Sequence, residues 1–322
     1  MRDHDGFMGN DTLPVLNNEN NYYELLFYIY KGEKMKKKKN LLKIFCLLLG
    51  LFGLTGCFKR DDMEDISIVV STYPIEYIVK SLYGAYSNID SIYPSGVDVN
   101  NYELTDKQIS DYSKNTLFVY NGLSDEKNIA RSFLNQNRNM KIIDVSYGLN
   151  IEYGKTSEEL WLSPNNYLML ATTTKNNLSD FINSKYLIQM IDTNYKKLQE
   201  DLSLMDANLR SIGAASKKPV ITTTNSLKYL ENYGFTVISL EDSKNVTTDL
   251  KNNFKNGTYT TLFIKKGETS DTITDLVNNY KAKKVEVNMM NTLDSNERNN
   301  SDDYLSIMNE YLRNLREATT NE

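Results

Sequence analysis

The chain has 322 residues, 40% of them hydrophobic and 25% charged, which is enough for one large folded domain or two ordinary ones with a sizeable core. A formal net charge of −5 argues against the basic face that a nucleic-acid partner requires. The only histidine is His4 and the only cysteines are Cys46 and Cys57, so everything after residue 57 excludes disulfides, Cys–His nucleophilic pairs and cysteine zinc sites.

Residues 1–34 show no persistent period and stand before a lysine cluster, Lys36 to Lys39, followed by an apolar run over 41–54. The uninterrupted apolar part, 44–54, is shorter than the roughly 20 residues a membrane-spanning helix needs. It ends in LTGC (54–57), which resembles the lipobox of bacterial lipoproteins, where the cysteine is lipidated and the chain is cut just before it. A signal peptide is therefore expected over 35–56, a lipid on Cys57 and a short charged tether over 57–64. The KGEK before Met35 can be encoded by a purine-rich, ribosome-positioning stretch, so residues 1–34 are expected to be a miscalled leader. In that case His4 and Cys46 are absent from the mature protein.

From residue 65 strand and helix patterns alternate. ISIVVST (66–72) is a short β-branched strand, and Ile75, Ile78, Val79 and Leu82 then share one helical face up to Gly84. A second strand runs over 88–94. Thr105 and Gln108 have the spacing of a capping box and open a helix carrying Ile109 and Tyr112. A third strand (116–122) closes on an Asn-Gly turn, and a helix over 126–135 and a strand over 141–145 complete a first lobe, 65–178. Leu187, Ile191, Tyr195, Leu198, Leu202, Met205, Leu209 and Ile212 recur every three or four residues, the stripe of one long helix within 179–216. After Gly213 the alternation restarts: strands over 219–224, 236–240, 260–266 and 283–287, with helices between them and a last helix over 302–316, make a second lobe, 217–322. Such alternation implies an α/β fold of two Rossmann-like lobes, each a mostly parallel sheet flanked by helices, joined by the long helix. Ligands of open α/β sheets sit beyond the carboxyl ends of the strands, here in the cleft between the lobes.

The blocks YPSGVDVNNYELT, FVYNGL, ELWLSP, TTNSLKYLENYGFTV and DDYLSIMNEYLRNLREA resemble, in order, the zinc- and manganese-type solute-binding lipoproteins of bacterial ABC importers. The resemblance covers most of 65–316. It implies a divalent metal held in the cleft as cargo and handed to an ABC permease and ATPase. It also implies a monomer held at the outer face of the cell membrane, with no nucleic-acid partner and no enzymatic role. The ligand positions carried over from the family fall on Asn100, Glu159, Thr224 and Asn288, with Met289 in place of Asn288 if the alignment shifts by one. Of these only Glu159 is an ordinary anionic ligand.

Amide and hydroxyl oxygens suit hard cations better than borderline metals. If each lost tight ligand costs about 1.4 kcal/mol, affinity falls about tenfold per position. The site is therefore expected to draw on cleft acids, Asp98, Glu103, Glu158 and Glu159, around a hard divalent cation. A second reading keeps the architecture but gives it a small polar solute, lined by Asn100, Asn101, Tyr102, Trp161, Thr222, Thr223, Thr224 and Asn225. Trp161, the only tryptophan, also reads as a packed core residue. A third reading is a transport-inactive surface lipoprotein acting as an adhesin.

Overall fold

The first strand, β1 (Ile66–Val70), is buried on both faces because Ile68, Val69 and Val70 supply branched side chains to two layers at once. The computed structural model that shows this describes residues 30–31, 61–149 and 158–320, with only the backbone of Glu159. The signal-peptide reading and Cys57 lie outside the described residues, as does nearly all of the leader. Among the described residues no helix is long and apolar enough to cross a membrane.

In the first lobe β1 is followed by α1 (Tyr73–Tyr83), β2 (Ser87–Ser91), α2 (Asp106–Tyr112), β3 (Leu117–Tyr120), α3 (Glu126–Gln136) and β4 (Lys141–Asp144). The sheet is parallel throughout, in the order β2-β1-β3-β4, with Ile68 opposite Ile89 and Val69 opposite Phe118. α2 opens on the expected capping box: Gln108 N–H donates to Thr105 Oγ1 (3.3 Å) and Thr105 N–H donates to Gln108 Oε1 (3.0 Å). The first long described stretch opens with Asp61. Its carboxylate accepts the backbone N–H groups of Met63, Asn183 and Ser184, and Met63 is buried.

A short α4 (Glu159–Leu162) and an 18-residue α5 (Pro164–Phe181) precede the long helix α6 (Lys185–Ala215). α5 has no counterpart in the sequence reading, because Asn and Thr dilute its apolar positions until no clear stripe stands out. α6 has 31 residues and is about 46 Å long at 1.5 Å per residue. Seven of its eight stripe residues are buried and Tyr195 is partly so.

The second lobe contains β5 (Val220–Thr222), a 3₁₀ segment (Asn225–Tyr233), β6 (Val237–Ser239), α7 (Thr248–Lys255), β7 (Thr261–Lys265), α8 (Asp271–Tyr280) and β8 (Lys283–Val287). Its sheet repeats the parallel order, β6-β5-β7-β8, and α9 (Ser295–Asn299) and α10 (Tyr304–Thr320) close the fold. Where an ordinary helix is expected over SLKYLENY the chain winds at three residues per turn. That winding puts Leu227, Leu230 and Tyr233 in one row, and all three are buried. Gly213 lets α6 touch this segment, since a Cβ there would lie 1.9 Å from the Tyr233 carbonyl oxygen. One apolar cluster runs from Ile68 and Leu82 through α6 to Leu227, Leu230 and Leu315, so the lobes share a core as well as a linker.

Candidate functional site

In a sheet ordered β2-β1-β3-β4 the chain leaves β1 to one side and β3 to the other, so their carboxyl ends form the topological switch point where ligands of this sheet class sit. A cavity of about 840 Å³ opens there. Its first-lobe wall includes Thr72, just after β1, Tyr93, after β2, the loop residues Asn100, Tyr102 and Glu103, and Glu126 at the start of α3. Glu158 and Trp161 come from the α4 region, and the second-lobe side supplies Lys265 and Asn291.

A strap after β8 holds the two sides together. Trp161 Nε1–H donates to the Met289 carbonyl (2.7 Å), Tyr73 N–H to the Asn291 carbonyl (3.0 Å) and Gly96 N–H to the Leu293 carbonyl (3.0 Å). Arg298, on α9, forks onto the buried carboxylate of Glu76, on α1, at 3.1 and 3.2 Å, and its Nε–H donates to Ser95 Oγ. Burial works to raise the Glu76 pKa, but the bonds from Arg298 and Lys80 outweigh it and hold the carboxyl below its usual range.

The positions singled out from sequence divide between cavity and scaffold. Asn100 lines the cavity and is exposed; its N–H and Nδ2 both donate to Asp98 Oδ1 (3.0 and 3.2 Å). Asp98 is occupied with its own loop, since its other oxygen takes Asn101 Nδ2 at 2.6 Å, and it does not line the cavity. Glu103 and Glu158 do line it, and Glu158 Oε1 accepts Asn291 Nδ2 at 3.3 Å. Trp161 is buried, pinned by Met289 at its ring and by Tyr304 Oη–H at its carbonyl (2.6 Å), so the packed reading describes most of it and one edge reaches the cavity. The side chain of Glu159 lies outside the described residues.

The two family-equivalent positions on the second lobe are not brought to the cavity. Thr224 is buried and caps the 3₁₀ segment: its hydroxyl accepts Ser226 N–H and donates to Ser226 Oγ, both at 3.1 Å. Asn288 commits its amide to its own turn, donating to Glu297 Oε1 (2.6 Å) and accepting Met290 N–H (2.8 Å). Thr222, Thr223 and Asn225 do not line the cavity either: Thr222 Oγ1 accepts Thr224 N–H, Thr223 donates to Glu268, and Asn225 N–H donates to Glu241. Among the described residues no three His, Cys, Asp or Glu side chains converge as a metal cage.

Sequence reasoning missed Glu126, reading it only as the start of a helix. Its carboxylate is buried and accepts Asn121 N–H at 2.8 Å; burial pushes its pKa up to about 7, against smaller lowering effects from its hydrogen bonds. The available signal was its place four residues after the Asn-Gly turn that follows β3, at a strand end.

Residues 68–318 match the profile of the family described as zinc-uptake complex component A, periplasmic. A metal ABC transporter substrate-binding lipoprotein of Lactococcus lactis is 28% identical over 214 residues, covering 61% of this chain and 68% of its own. The manganese ABC transporter substrate-binding lipoprotein PsaA of Streptococcus pneumoniae is 26% identical over 223 residues, covering 62% and 70%. Among solved structures, the metal-dependent lipoprotein YcdH of Bacillus subtilis matches with a TM-score of 0.69 over 80% of this chain and 100% of its own, at 19% identity. The zinc-bound ZnuA-like domain of AdcA from Streptococcus pneumoniae gives the same TM-score and coverage at 18% identity. At these identities the structural likeness is one of fold.

Proposed function

The chain belongs to the zinc-uptake complex component A family, and from that premise we propose that it is the solute-binding lipoprotein of an ABC importer, with a divalent metal as cargo in the cleft between its lobes. Family members are substrate-binding proteins, and no catalytic step is assigned to this one. The LTGC motif supports a signal peptide over 35–56 and a lipid on Cys57, an anchor that would hold the lobes at the outer face of the cell membrane. The metal would be released to a permease driven by an ATPase, and the protein would work as a monomer.

The observation that carries this reading is the cavity at the switch point, walled by both lobes and holding Asn100, Glu103 and Glu158 beside the start of α4. Asn100 and Glu159 occupy family ligand positions on that side, and Glu158 is next to Glu159 in sequence. A metal bound only by the native state stabilises it by RT ln(1 + [L]/Kd). Titrating zinc, manganese, magnesium and calcium while following Trp161 fluorescence and melting temperature should therefore give a saturable upward shift with at least one ion. Glu159→Gln should reduce that shift. Silence with all four ions rejects the metal reading and leaves a polar solute or an adhesin.

A further inference from the structure

Outside the family ligand positions, three of the five buried side-chain atoms that find no hydrogen-bond partner among the described residues gather beside the cleft, the other two being Asn225 Oδ1 and Ser239 Oγ of the second lobe. Thr72 Oγ1 and Asn121 Nδ2 are buried and make no hydrogen bond within the chain. Ser71 Oγ approaches the Glu126 carboxylate without reaching ordinary hydrogen-bond geometry. All of them stand at the carboxyl ends of the two central strands: Ser71 and Thr72 follow β1, and Asn121 follows β3. The backbone brings them together, since Ser71 N–H donates to the Val119 carbonyl (3.1 Å) and Asn121 N–H donates to Glu126. Thr72 and Glu126 line the cavity.

A buried polar group without a partner costs about 1–3 kcal/mol, and a buried carboxylate without a counter-charge costs more. Among the described residues Glu126 has no ion pair. Glu76, the comparably buried acid on α1, has two cationic partners. Bracing the Asn-Gly turn explains one oxygen of Glu126; it does not explain the hydroxyls beside it.

We propose that the Glu126 carboxylate and the Thr72 hydroxyl form the cation-holding wall of the cleft, taking a hard, oxygen-preferring divalent ion of the calcium or magnesium class. The donor set is oxygen only, which is the chemistry such ions select and zinc does not. Magnesium-class ions are commonly held by one or two carboxylates and keep several waters. Charge favours the same occupant: the lining carries Glu103, Asp125, Glu126 and Glu158 against Lys127 and Lys265. Lys265 enters from the second lobe and Lys127 stands beside Glu126, and the four carboxylates outnumber these two cations. The inference rests on the metal reading of the cleft and moves its centre from the family positions to the switch point of the first-lobe sheet.

The test is calorimetric titration of the full chain in detergent micelles with calcium chloride, and separately with zinc chloride, for the unaltered protein and for Glu126→Gln, Thr72→Val and Glu159→Gln. Calcium should bind the unaltered protein, weaken about tenfold or more in Glu126→Gln and several-fold in Thr72→Val, and weaken by less than in Glu126→Gln when Glu159 is changed to Gln. Thr72→Val removes only an unpartnered hydroxyl, so its ion-free melting temperature should hold or rise; it decides the matter if Glu126→Gln does not fold. Binding that survives both substitutions but is lost in Glu159→Gln overturns the Glu126 site and leaves the cleft-metal reading standing. If the unaltered protein binds neither ion at millimolar concentration, the Glu126 site falls, and the manganese and magnesium titrations decide the cleft-metal reading.

Discussion

The two lobes repeat one sheet order, yet among the described residues only the first lobe sets an unpartnered polar atom against the cavity at its strand ends. In the second lobe most polar side chains at the rim are engaged by the fold itself, and the two buried atoms left without a partner, Asn225 Oδ1 and Ser239 Oγ, do not line the cavity. Thr224 caps a helix, Thr223 bonds Glu268, and Asn288 bonds Glu297. In the first lobe Thr72 Oγ1, Asn121 Nδ2 and Ser71 Oγ are left over around a buried acid, and Thr72 and that acid line the cavity. The same topology can thus end in a finished surface or in a receptive one, and what separates them is which polar groups the fold itself consumes. Two buried carboxylates make the contrast concrete. Glu76 is satisfied by Arg298 and Lys80, whereas Glu126 has only neutral partners.

The sharpest way to break this contrast is pH. The folded-state pKa of Glu126 lies at about 7, above the 4.5 of an unperturbed glutamate, so folding favours its protonated form. Stability from this group is complete below about pH 4.5 and falls as pH rises toward 7, by about 3 kcal/mol if the whole shift counts. Glu76 has the opposite sign, its stabilisation being present above the usual carboxylate range and lost as pH falls. Urea denaturation of the ion-free protein between pH 4 and 8 should show both slopes. Glu126→Gln should flatten the slope between about pH 5 and 7 and leave the acid-side loss in place. The groups around Glu126 include Asp144 and the hydroxyls of Ser71 and Ser124, and a slope unchanged by the substitution would show that Glu126 is not its source.

Next in size is the satisfied acid. Arg298→Ala strips Glu76 of its bidentate partner and leaves the carboxylate buried with Lys80 alone. The expected loss is about 2–3 kcal/mol in urea, below that of a fully buried pair because the guanidinium is a third exposed. A change within about 0.5 kcal/mol would mean that the strap does not depend on this pair. The smallest effect belongs to the finished rim. Thr224→Ala removes a helix cap at a cost of about 1 kcal/mol and should leave any cation titration unchanged. A lost titration would return Thr224 to the binding site and erase the difference between the rims.

Much of the architecture was legible because burial on two faces writes itself into sequence. ISIVV and TLFIK read as strands and fold as strands, and the α6 stripe packs where its spacing puts it. The α5 helix was not legible, because it sits between other elements and its Asn and Thr residues blur the period. The site was harder still. Asn100, Glu103 and Glu158 reach the cavity as cleft-loop residues, but Thr224 and Asn288 are taken by local capping, which alignment to a ligand position does not reveal. Glu126 hid for the converse reason: an acid in the first turn of a helix is ordinary, and only tertiary burial makes this one exceptional.

The apolar cluster that crosses from the first sheet through α6 into the second has a consequence for inheritance. Halves that complete each other's interior cannot be exchanged one at a time between related chains without exposing oil to water on both sides of the join. Variation in such a protein should collect in the rims and loops, while the body is passed on whole.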